Sequence, residues 1–364
     1  MIHSIDFSND IFVIAEAGVN HNGDPDLALE LIDVAAEAGA DAIKFQTFRA
    51  DRLISQKAPK ADYQIRMTGA AESQHEMVRK LELTPEMHRT LIARAAEKQI
   101  QFLSTPFDEE SARWLVADLG LPLLKIPSGE LNNPLLLLAA AGTNVPVILS
   151  TGMATLDEIA DALDVLAFGY AFPNSPPSEK NFREAGNSAE GQAALTQNVA
   201  LLHCTTEYPT PFDDVNLRAM DSIRDRFGLV TGYSDHTVGI TVPVAAAARG
   251  AQIIEKHFTT DRSLPGPDHA ASLEPSELVA MVRAIRETET SLGSETKAPA
   301  PSEQKNIAIA RKSLVASRAI AKGEAFSADN LTVKRPGNGV PPVRYWDYLE
   351  RSANRNYAVD ELVD

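Results

Sequence analysis

Residues 199–208 read VALLHCTTEY, an apolar run that ends abruptly in polar side chains. The apolar half is typical of a buried strand in a parallel sheet, and the polar half marks the point where the chain leaves that sheet. One such strand decides little, because a histidine at a strand end is more often structural than a ligand. The fold therefore depends on whether other strands end in the same way.

Further apolar runs of this kind occur through the first 290 residues, and longer amphipathic segments separate them. The predicted strands begin at residues 11, 41, 101, 123, 146, 199, 229 and 252. Strands that alternate with amphipathic helices form parallel sheets. Eight β/α units in about 280 residues predict a (β/α)8 TIM barrel, although a doubly wound open sheet gives a similar pattern.

The change in composition and periodicity past residue 290 predicts two domains. We expect a catalytic barrel over residues 1–290, a linker over 291–306 and a small β-rich module over 307–364. The linker reads SLGSETKAPAPSEQKN, which is polar and contains two prolines. A further stretch, residues 169–197, is rich in Pro, Ser, Asn and Gly, and it predicts an exposed loop on the strand-exit side.

Composition excludes several classes of partner. The formal net charge is −16 over 364 residues, without a dense Lys/Arg block, so binding to a nucleic-acid backbone is electrostatically opposed. The longest apolar run, LLLLAAAG from Leu135, is shorter than the roughly 18 residues of a membrane span. Cys204 is the single cysteine, and the first residues lack the features of a signal peptide. We expect a cytoplasmic protein that binds neither nucleic acid nor membrane.

The ends of parallel barrel strands meet on one side, so their polar residues should form one site. Lys44 and Lys125, with the hydroxyls of Thr105, Ser128 and Ser150, predict a pocket for a phosphate or carboxylate. A lysine inside an apolar strand is hard to explain structurally, because burying an unpaired ammonium costs several kcal/mol. An anionic substrate is therefore predicted.

Two histidines and two carboxylates complete this reading. His203 and His236 follow neighbouring strands and predict a metal site with open positions, while Glu16 and Glu130 are candidates for proton transfer. Each histidine also has a structural explanation, since His203 could be a satisfied core residue and His236 could flank a helix N-cap.

Three other strand-end residues are left with structural readings. Cys204 points to the opposite face of its strand from His203 and reads as a small packed hydrophobe. Lys256 and His257 fit a salt bridge and a core histidine as well as they fit a site.

Seven motifs at these strand ends resemble the sialic acid synthases. They are KFQTF at Lys44, STPFD at Ser104, KIPSGE at Lys125, ILSTGM at Ile148, LLHCTTEYPTPF at Leu201, GYSDHT at Gly232 and IIEKHF at Ile253. The later motif KRPGNGVPP at Lys334 resembles the C-terminal antifreeze-like (SAF) domain of those enzymes. The resemblance covers nearly the whole chain.

The resemblance implies a condensation of phosphoenolpyruvate with an N-acylated hexosamine to give a nine-carbon 2-keto acid and phosphate. It also implies a divalent metal, usually Mn2+ with Mg2+ or Co2+ as alternatives, that polarises the sugar aldehyde and is held by His203 and His236. Phosphoenolpyruvate is assigned to Lys44, Thr105, Lys125, Ser128 and Ser150.

The sugar and the reacting atoms are assigned to Glu16, Gln46 and Glu130, and the implied catalytic residues are Glu16, Glu130, Lys44 and Lys125. Arg335 would reach the sugar from the partner subunit of a domain-swapped homodimer. No role is assigned to Glu207.

The exact acceptor sugar stays open in the sequence. The first expectation is N-acetylmannosamine, which gives N-acetylneuraminate. The alternative is 2,4-diacetamido-2,4,6-trideoxymannose, which gives N,N'-diacetyllegionaminate, and pseudaminate synthesis is a third choice. A hypothesis of a different class is a non-catalytic carbohydrate- or ice-binding protein.

Overall fold

The computed structural model describes residues 10–56, 58–60, 65 and 73–364. The chain divides into two compact units, Met1–Gly293 and Ser294–Asp364. The boundary lies inside the predicted linker. The later part of that linker is ordered as a 3-10 turn, Pro301–Glu303, and as the start of a helix, Gln304–Ala310.

The first unit is a nearly closed parallel barrel, which confirms the predicted fold class. Its strands are β1 Phe12–Gly18, β2 Ala42–Thr47, β3 Gln101–Pro106, β4 Leu124–Ile126, β5 Val147–Ser150, β6 Val199–Cys204, β7 Val230–Asp235 and β8 Ile253–His257. They pair in the order β3-β2-β1-β8-β7-β6-β5-β4. β3 and β4, at the two ends of this order, lie side by side. The order excludes the open doubly wound sheet, which would have separated edge strands.

Helices cover the outside of this sheet. Their bounds are α1 Pro25–Glu37, α2 Ala50–Leu53, α3 Gln74–Arg79, α4 Pro85–Glu97, α5 Glu109–Ala117, α6 Pro134–Gly142, α7 Leu156–Ala171, α8 Glu179–Gly186, α9 Ala189–Asn198, α10 Ala219–Phe227, α11 Thr241–Ala248 and α12 Pro275–Leu292. Capping explains many of the starts: for example, the Asp24 side chain accepts hydrogen bonds from the first-turn N–H groups of α1, and Pro25 follows it. Among the described helices, none combines the length and apolar character that a membrane span needs.

The prediction of an exposed loop over residues 169–197 is wrong, because α7 extends to Ala171 and α8 and α9 follow. Two of the three serines in this segment are helix caps. The Ser178 side chain accepts from the N–H of Asn181, and the Ser188 side chain accepts from that of Gly191. Ser is favoured both in loops and at N-caps, so composition alone misplaced this segment.

The interior of the barrel positions the site. A buried cluster fills it with one or two apolar side chains from each contributing strand: Ile14, Ala42, Leu103, Leu123, Ile148, Ala200, Leu202 and Ile253. Side chains two residues apart on a strand share a face. The residues two and four positions after this cluster therefore also point inward, at the carboxyl ends of the strands.

The second unit is small and contains an antiparallel pair of strands, β9 Ser313–Ala316 and β10 Leu331–Lys334. Its helices are α13 Gln304–Ala310 and α14 Tyr345–Tyr348. A separate apolar core holds it together, with Leu314, Ile320, Phe326, Leu331 and Tyr357 among its members. The predicted β-rich module is confirmed.

Candidate active site

A cavity of about 420 Å³ opens at the carboxyl ends of the barrel strands. Every strand of the barrel contributes an inward-facing side chain to its lining: Glu16, Lys44, Gln46, Thr105, Lys125, Ser150, Cys204, Ser234, Glu255 and His257. These residues follow the apolar barrel interior on the same faces, as the period of two requires. The cavity is the site that the strand-end pattern predicted.

A buried ion network forms one side of the cavity. The Lys44 ammonium contacts the Glu16 carboxylate, and it lies 3.0 Å from Thr105 Oγ1 and 3.7 Å from Glu255 Oε2. The Lys125 ammonium lies 3.2 Å from Glu255 Oε1. Both lysines are only 3% exposed. Two ammonium groups are thus balanced by two carboxylates, and none of the four is an isolated buried charge.

The network sets the pKa values of its carboxyl groups in opposite directions. Burial, reinforced by the nearby Glu255 charge, raises the pKa of Glu16 to about 7 although Lys44 opposes the shift. Burial would also raise the pKa of Glu255, but Lys125 and Lys44 overcome this and lower it to about 2. Carboxyls pushed apart in this way are typical of active sites.

Hydroxyl groups face the same side of the cavity. Ser128 Oγ accepts a hydrogen bond from the Gly152 N–H at 2.9 Å and lies 3.1 Å from Cys204 Sγ. Ser150 Oγ and Thr206 Oγ1 are buried, and neither finds a hydrogen-bond partner among the described residues. Buried hydroxyls without partners beside two lysines fit a pocket completed by an oxyanion of a ligand.

The imidazole that neighbours His236 in the cavity is His257, not His203. The His236 and His257 rings lie 5.5 Å apart between centroids, and both line the cavity. His236 Nδ1 lies 2.6 Å from the Thr205 carbonyl oxygen and donates to it, which leaves Nε2 as an acceptor. His257 Nδ1 is buried and has no hydrogen-bond partner among the described residues.

His203 lies on the outer face of β6, towards the helices. Its Nε2 is 2.8 Å from the Val215 carbonyl oxygen, and its ring packs beside Tyr233 at 5.6 Å. Leu202 and Cys204 occupy the inward face instead. The predicted pair of His203 and His236 therefore does not meet in the cavity, where the ring beside His236 is His257. The sequence correctly predicted that His203 and Cys204 lie on opposite faces of their strand, but it assigned the inward face to His203 instead of Cys204.

Comparison with known proteins identifies the family. The NeuB family model matches residues 31–297, and the SAF domain model matches residues 311–355. The chain belongs to the NeuB family. It is an enzyme of the sialic acid synthase type, so the alternative of a non-catalytic carbohydrate- or ice-binding protein is wrong.

Individual relatives of this NeuB-family chain cover it almost completely. An N,N'-diacetyllegionaminic acid synthase of Campylobacter jejuni is 52% identical and covers 96% of this chain and 98% of its own. A protein of the same name from Legionella pneumophila is 46% identical over 91% of this chain and 87% of its own. The crystal structure of an N-acetylneuraminic acid synthetase from Leptospira borgpetersenii matches with a TM-score of 0.67 and 34% identity, over 82% of this chain and 90% of that chain.

Most of the site residues predicted for this NeuB-family chain meet in the cavity: Glu16, Lys44, Gln46, Thr105, Lys125, Ser128, Ser150 and His236. Glu130 belongs to the 3-10 turn Ser128–Glu130, and its carboxylate accepts from the Asn133 amide at 2.7 Å. Among the described residues, this turn lines the cavity through Ser128 and Gly129. Arg335 is an exposed residue of the second unit, and its Nε donates to the Ala310 carbonyl at 3.0 Å.

The sequence reasoning assigned no site role to several cavity residues, and it left His257 open. Glu255 and His257 follow Ile253 on the inward face of β8, whereas Lys256 points outward and pairs with Asp235 at 2.5 Å. Tyr208 stacks on His236 with 4.2 Å between ring centroids. Asp268 lines the cavity from the loop after β8, and burial raises its pKa to about 6. In IIEKH of β8 two isoleucines precede three polar residues, so the sequence shows no alternation, and the inward face follows from the packing of Ile253 into the barrel interior.

Proposed function

We propose that this protein is an N,N'-diacetyllegionaminate synthase. It condenses phosphoenolpyruvate with 2,4-diacetamido-2,4,6-trideoxymannose and water, and it releases phosphate. The choice of this acceptor is supported by the 52% identity to a relative of that name, over almost the whole of both chains. Because the comparison with the N-acetylneuraminic acid synthetase gives only 34% identity, N-acetylmannosamine becomes the second choice.

The site supports binding of phosphoenolpyruvate on its charged side. Lys44 and Lys125 supply positive charge, and Thr105, Ser128 and Ser150 supply hydroxyls. The partnerless Ser150 and Thr206 hydroxyls are satisfied when ligand oxygens arrive. Holding the anion there fixes its methylene carbon relative to an acceptor bound in the rest of the cavity.

The chemistry proceeds by carbon–carbon bond formation followed by carbon–oxygen cleavage. The methylene carbon of phosphoenolpyruvate bonds to the aldehyde carbon of the open-chain sugar, whose oxygen takes a proton. Water adds to the cationic C2, losing a proton, and the tetrahedral intermediate releases phosphate to leave the 2-keto acid. Glu16, in contact with Lys44 and facing the cavity, is the carboxyl that we assign to proton transfer.

His236 and His257 fit a divalent metal such as Mn2+, Mg2+ or Co2+. The partnerless His257 Nδ1 and the orientation of His236 by Thr205 are what such a site requires. No cluster of three or more His, Cys, Asp and Glu side chains suited to a metal is found in the described part of the chain, so substrate or water would complete the coordination. When bound, the metal supplies Lewis-acid polarisation of the sugar aldehyde.

We also propose that the enzyme is a cytoplasmic, domain-swapped homodimer in which Arg335 of one chain reaches the acceptor bound by the other. Arg335 is exposed, and its one hydrogen bond among the described residues uses Nε, so the terminal nitrogens can take a ligand. The test of this arrangement is given among the predictions below.

The deciding experiment measures phosphate release from phosphoenolpyruvate with each of the two acceptors, with Mn2+ and with a chelator. We expect turnover of both, with kcat/KM at least about 10-fold higher for the diacetamido sugar, and loss of activity with the chelator. The opposite preference would assign the enzyme to N-acetylneuraminate. No phosphate release with either sugar would refute the proposed reaction.

A further inference from the structure

One wall of the cavity is apolar. It consists of Val19, Phe48, Leu53, Ile54, Met77, Val78, Leu81 and Phe107, and we call it the α2–α3 wall. These residues form a cluster of their own, separate from the barrel interior and from the layer between strands and helices. The wall is therefore a distinct apolar cluster, and all eight of its residues line the cavity.

The wall is rigid. Met77 is 5% and Leu81 8% exposed, and the Phe48 and Phe107 rings meet edge to face at 6.0 Å. Polar contacts tie α2 to α3: the Asp51 carboxylate lies 2.9 Å from His75 Nε2 and 2.6 Å from an Arg79 guanidinium nitrogen. Side chains held in this way present a fixed surface to a ligand.

The wall is the part of the cavity lining that offers neither charge nor hydroxyl groups to phosphoenolpyruvate. The cations and hydroxyls come from β2 to β5 and the turns that follow them, and they can satisfy a phosphate and a carboxylate there. The remaining volume must take the acceptor. Among the described residues, the lining includes the polar side chains of Gln46, Gln74, Tyr208 and Asp268 and the apolar side chains of the α2–α3 wall, and we assign these to the acceptor.

The two candidate acceptors differ in the groups that such a wall distinguishes. The diacetamido sugar has a methyl group at C6 and an acetamido methyl at C4, where N-acetylmannosamine has hydroxyls. Moving a methyl group from water to an apolar surface is favourable in free energy. A hydroxyl placed against the same surface loses its water without a replacement hydrogen bond.

We infer that the α2–α3 wall is the specificity-determining surface of this enzyme, and that Leu53, Ile54 and Met77 contact the methyl groups of a 6-deoxy, N-acetylated acceptor. The inference rests on the proposed function and goes further, because it assigns the acceptor preference to particular side chains. Leu53 and Ile54 are half-buried at the end of α2. They can be changed with little effect on the buried cluster.

The test replaces apolar side chains of the wall by polar ones of similar size, Leu53→Asn and Ile54→Thr. The readout is the ratio of kcat/KM for the diacetamido sugar to that for N-acetylmannosamine, with KM for phosphoenolpyruvate measured in parallel. We expect each variant to lower the ratio by about 10-fold and to leave the phosphoenolpyruvate KM within about twofold of wild type.

Met153→Gln is the matched control. Met153 also lines the cavity, but it follows β5 and is 71% exposed, so a polar isostere there should leave the ratio within about twofold of wild type. Circular dichroism checks that every variant is folded. Ile54→Thr keeps the test decisive if Leu53→Asn does not fold, because Thr retains the branched shape of the side chain.

The outcomes separate the two proposals. Suppose that the wild type prefers the diacetamido sugar and that both folded wall variants keep the same ratio. This result would refute the role of the α2–α3 wall in specificity and would leave the proposed function in place. An equal fall in the ratio for Met153→Gln would also overturn it, since the effect would then not belong to the α2–α3 wall. A wild-type enzyme that prefers N-acetylmannosamine, or that uses neither sugar, would overturn both.

Discussion

Replacing Glu255 by Gln removes the carboxylate that the two buried lysines share. Glu255 lies 3.2 Å from Lys125 and 3.7 Å from Lys44, and it accepts a hydrogen bond from Ser234 at 2.9 Å. In the variant, Lys44 keeps its contact with Glu16, and the Gln carbonyl oxygen keeps the Ser234 hydrogen bond. Lys125 loses its charged partner, so the cavity of the folded protein gains one surplus ammonium.

The structure sets the size of the effect. Removing one partner of a buried ion pair costs about 3 to 5 kcal/mol of unfolding free energy. The retained hydrogen bond and the remaining Glu16 favour the lower end, about 3 kcal/mol. For a domain of this size, 1 kcal/mol corresponds to about 2 °C in melting temperature. We therefore expect Glu255→Gln to melt about 6 °C below wild type at pH 7.

Thermal melting with and without phosphoenolpyruvate is the assay. The anion neutralises the surplus charge, so at one concentration it should raise the melting temperature of the variant more than that of the wild type. Glu287→Gln is the control, because Glu287 makes only an exposed pair with Arg283 and should change the melting temperature by less than about 1 °C. If Glu255→Gln melts like this control, Lys125 carries no charge in the free enzyme and the ion network described above is wrong.

Four other predictions test separate parts of the site. Thr206→Val should raise KM for phosphoenolpyruvate by about 5- to 10-fold in steady-state kinetics, since Thr206 Oγ1 has no hydrogen-bond partner among the described residues. An unchanged KM would show that Thr206 does not belong to the anion pocket. His257→Gln should abolish the response of activity to added Mn2+, whereas His203→Gln should retain that response even if its melting temperature is lower. The reverse result would support the predicted pair of His203 and His236. Arg335→Ala should raise KM for the acceptor and leave KM for phosphoenolpyruvate unchanged; equal KM values for wild type and variant with both substrates would refute the swapped arrangement. Burial lowers the pKa of His21 from 6.5 to about 4. As the pH falls below 6.5, the His21 imidazole is therefore protonated in the unfolded chain but stays neutral in the folded chain, so the folded state loses stability. Between pH 7 and pH 4.5, the free energy of unfolding of the wild type, measured in urea, should therefore fall by about 2 to 3 kcal/mol more than that of His21→Asn. Parallel pH profiles for the two proteins would contradict this.

The barrel could be predicted from the sequence because its strands and helices alternate without interruption. The direction of each strand's side chains could be predicted only where polar residues show it. In AIKFQT of β2, Lys44 and Gln46 alternate with Phe45, and both polar residues line the cavity as expected. A period of two is then visible in the letters themselves.

In β6 the same information is missing, and this explains the error at His203. VALL is apolar on both faces, because a strand of a parallel barrel is buried by the interior on one side and by helices on the other. Nothing in these four letters tells which face is which. The answer lies in the packing of Ala200 and Leu202 into the barrel interior, which is a property of the closed sheet.

The seven motifs include only two residues of the α2–α3 wall, Phe48 and Phe107, so the sequence predicts the charged side of the cavity better than this wall. The motifs lie at strand ends and carry the charged side of the cavity, which serves chemistry common to any acceptor. Leu53, Ile54 and Met77 lie outside every one of these motifs: Leu53 ends α2, Ile54 follows it, and Met77 belongs to α3. The motifs therefore identify the reaction, whereas the side chains that we infer to select the sugar resemble ordinary core residues in the sequence. Only their position in the fold, facing the cavity, shows what they do.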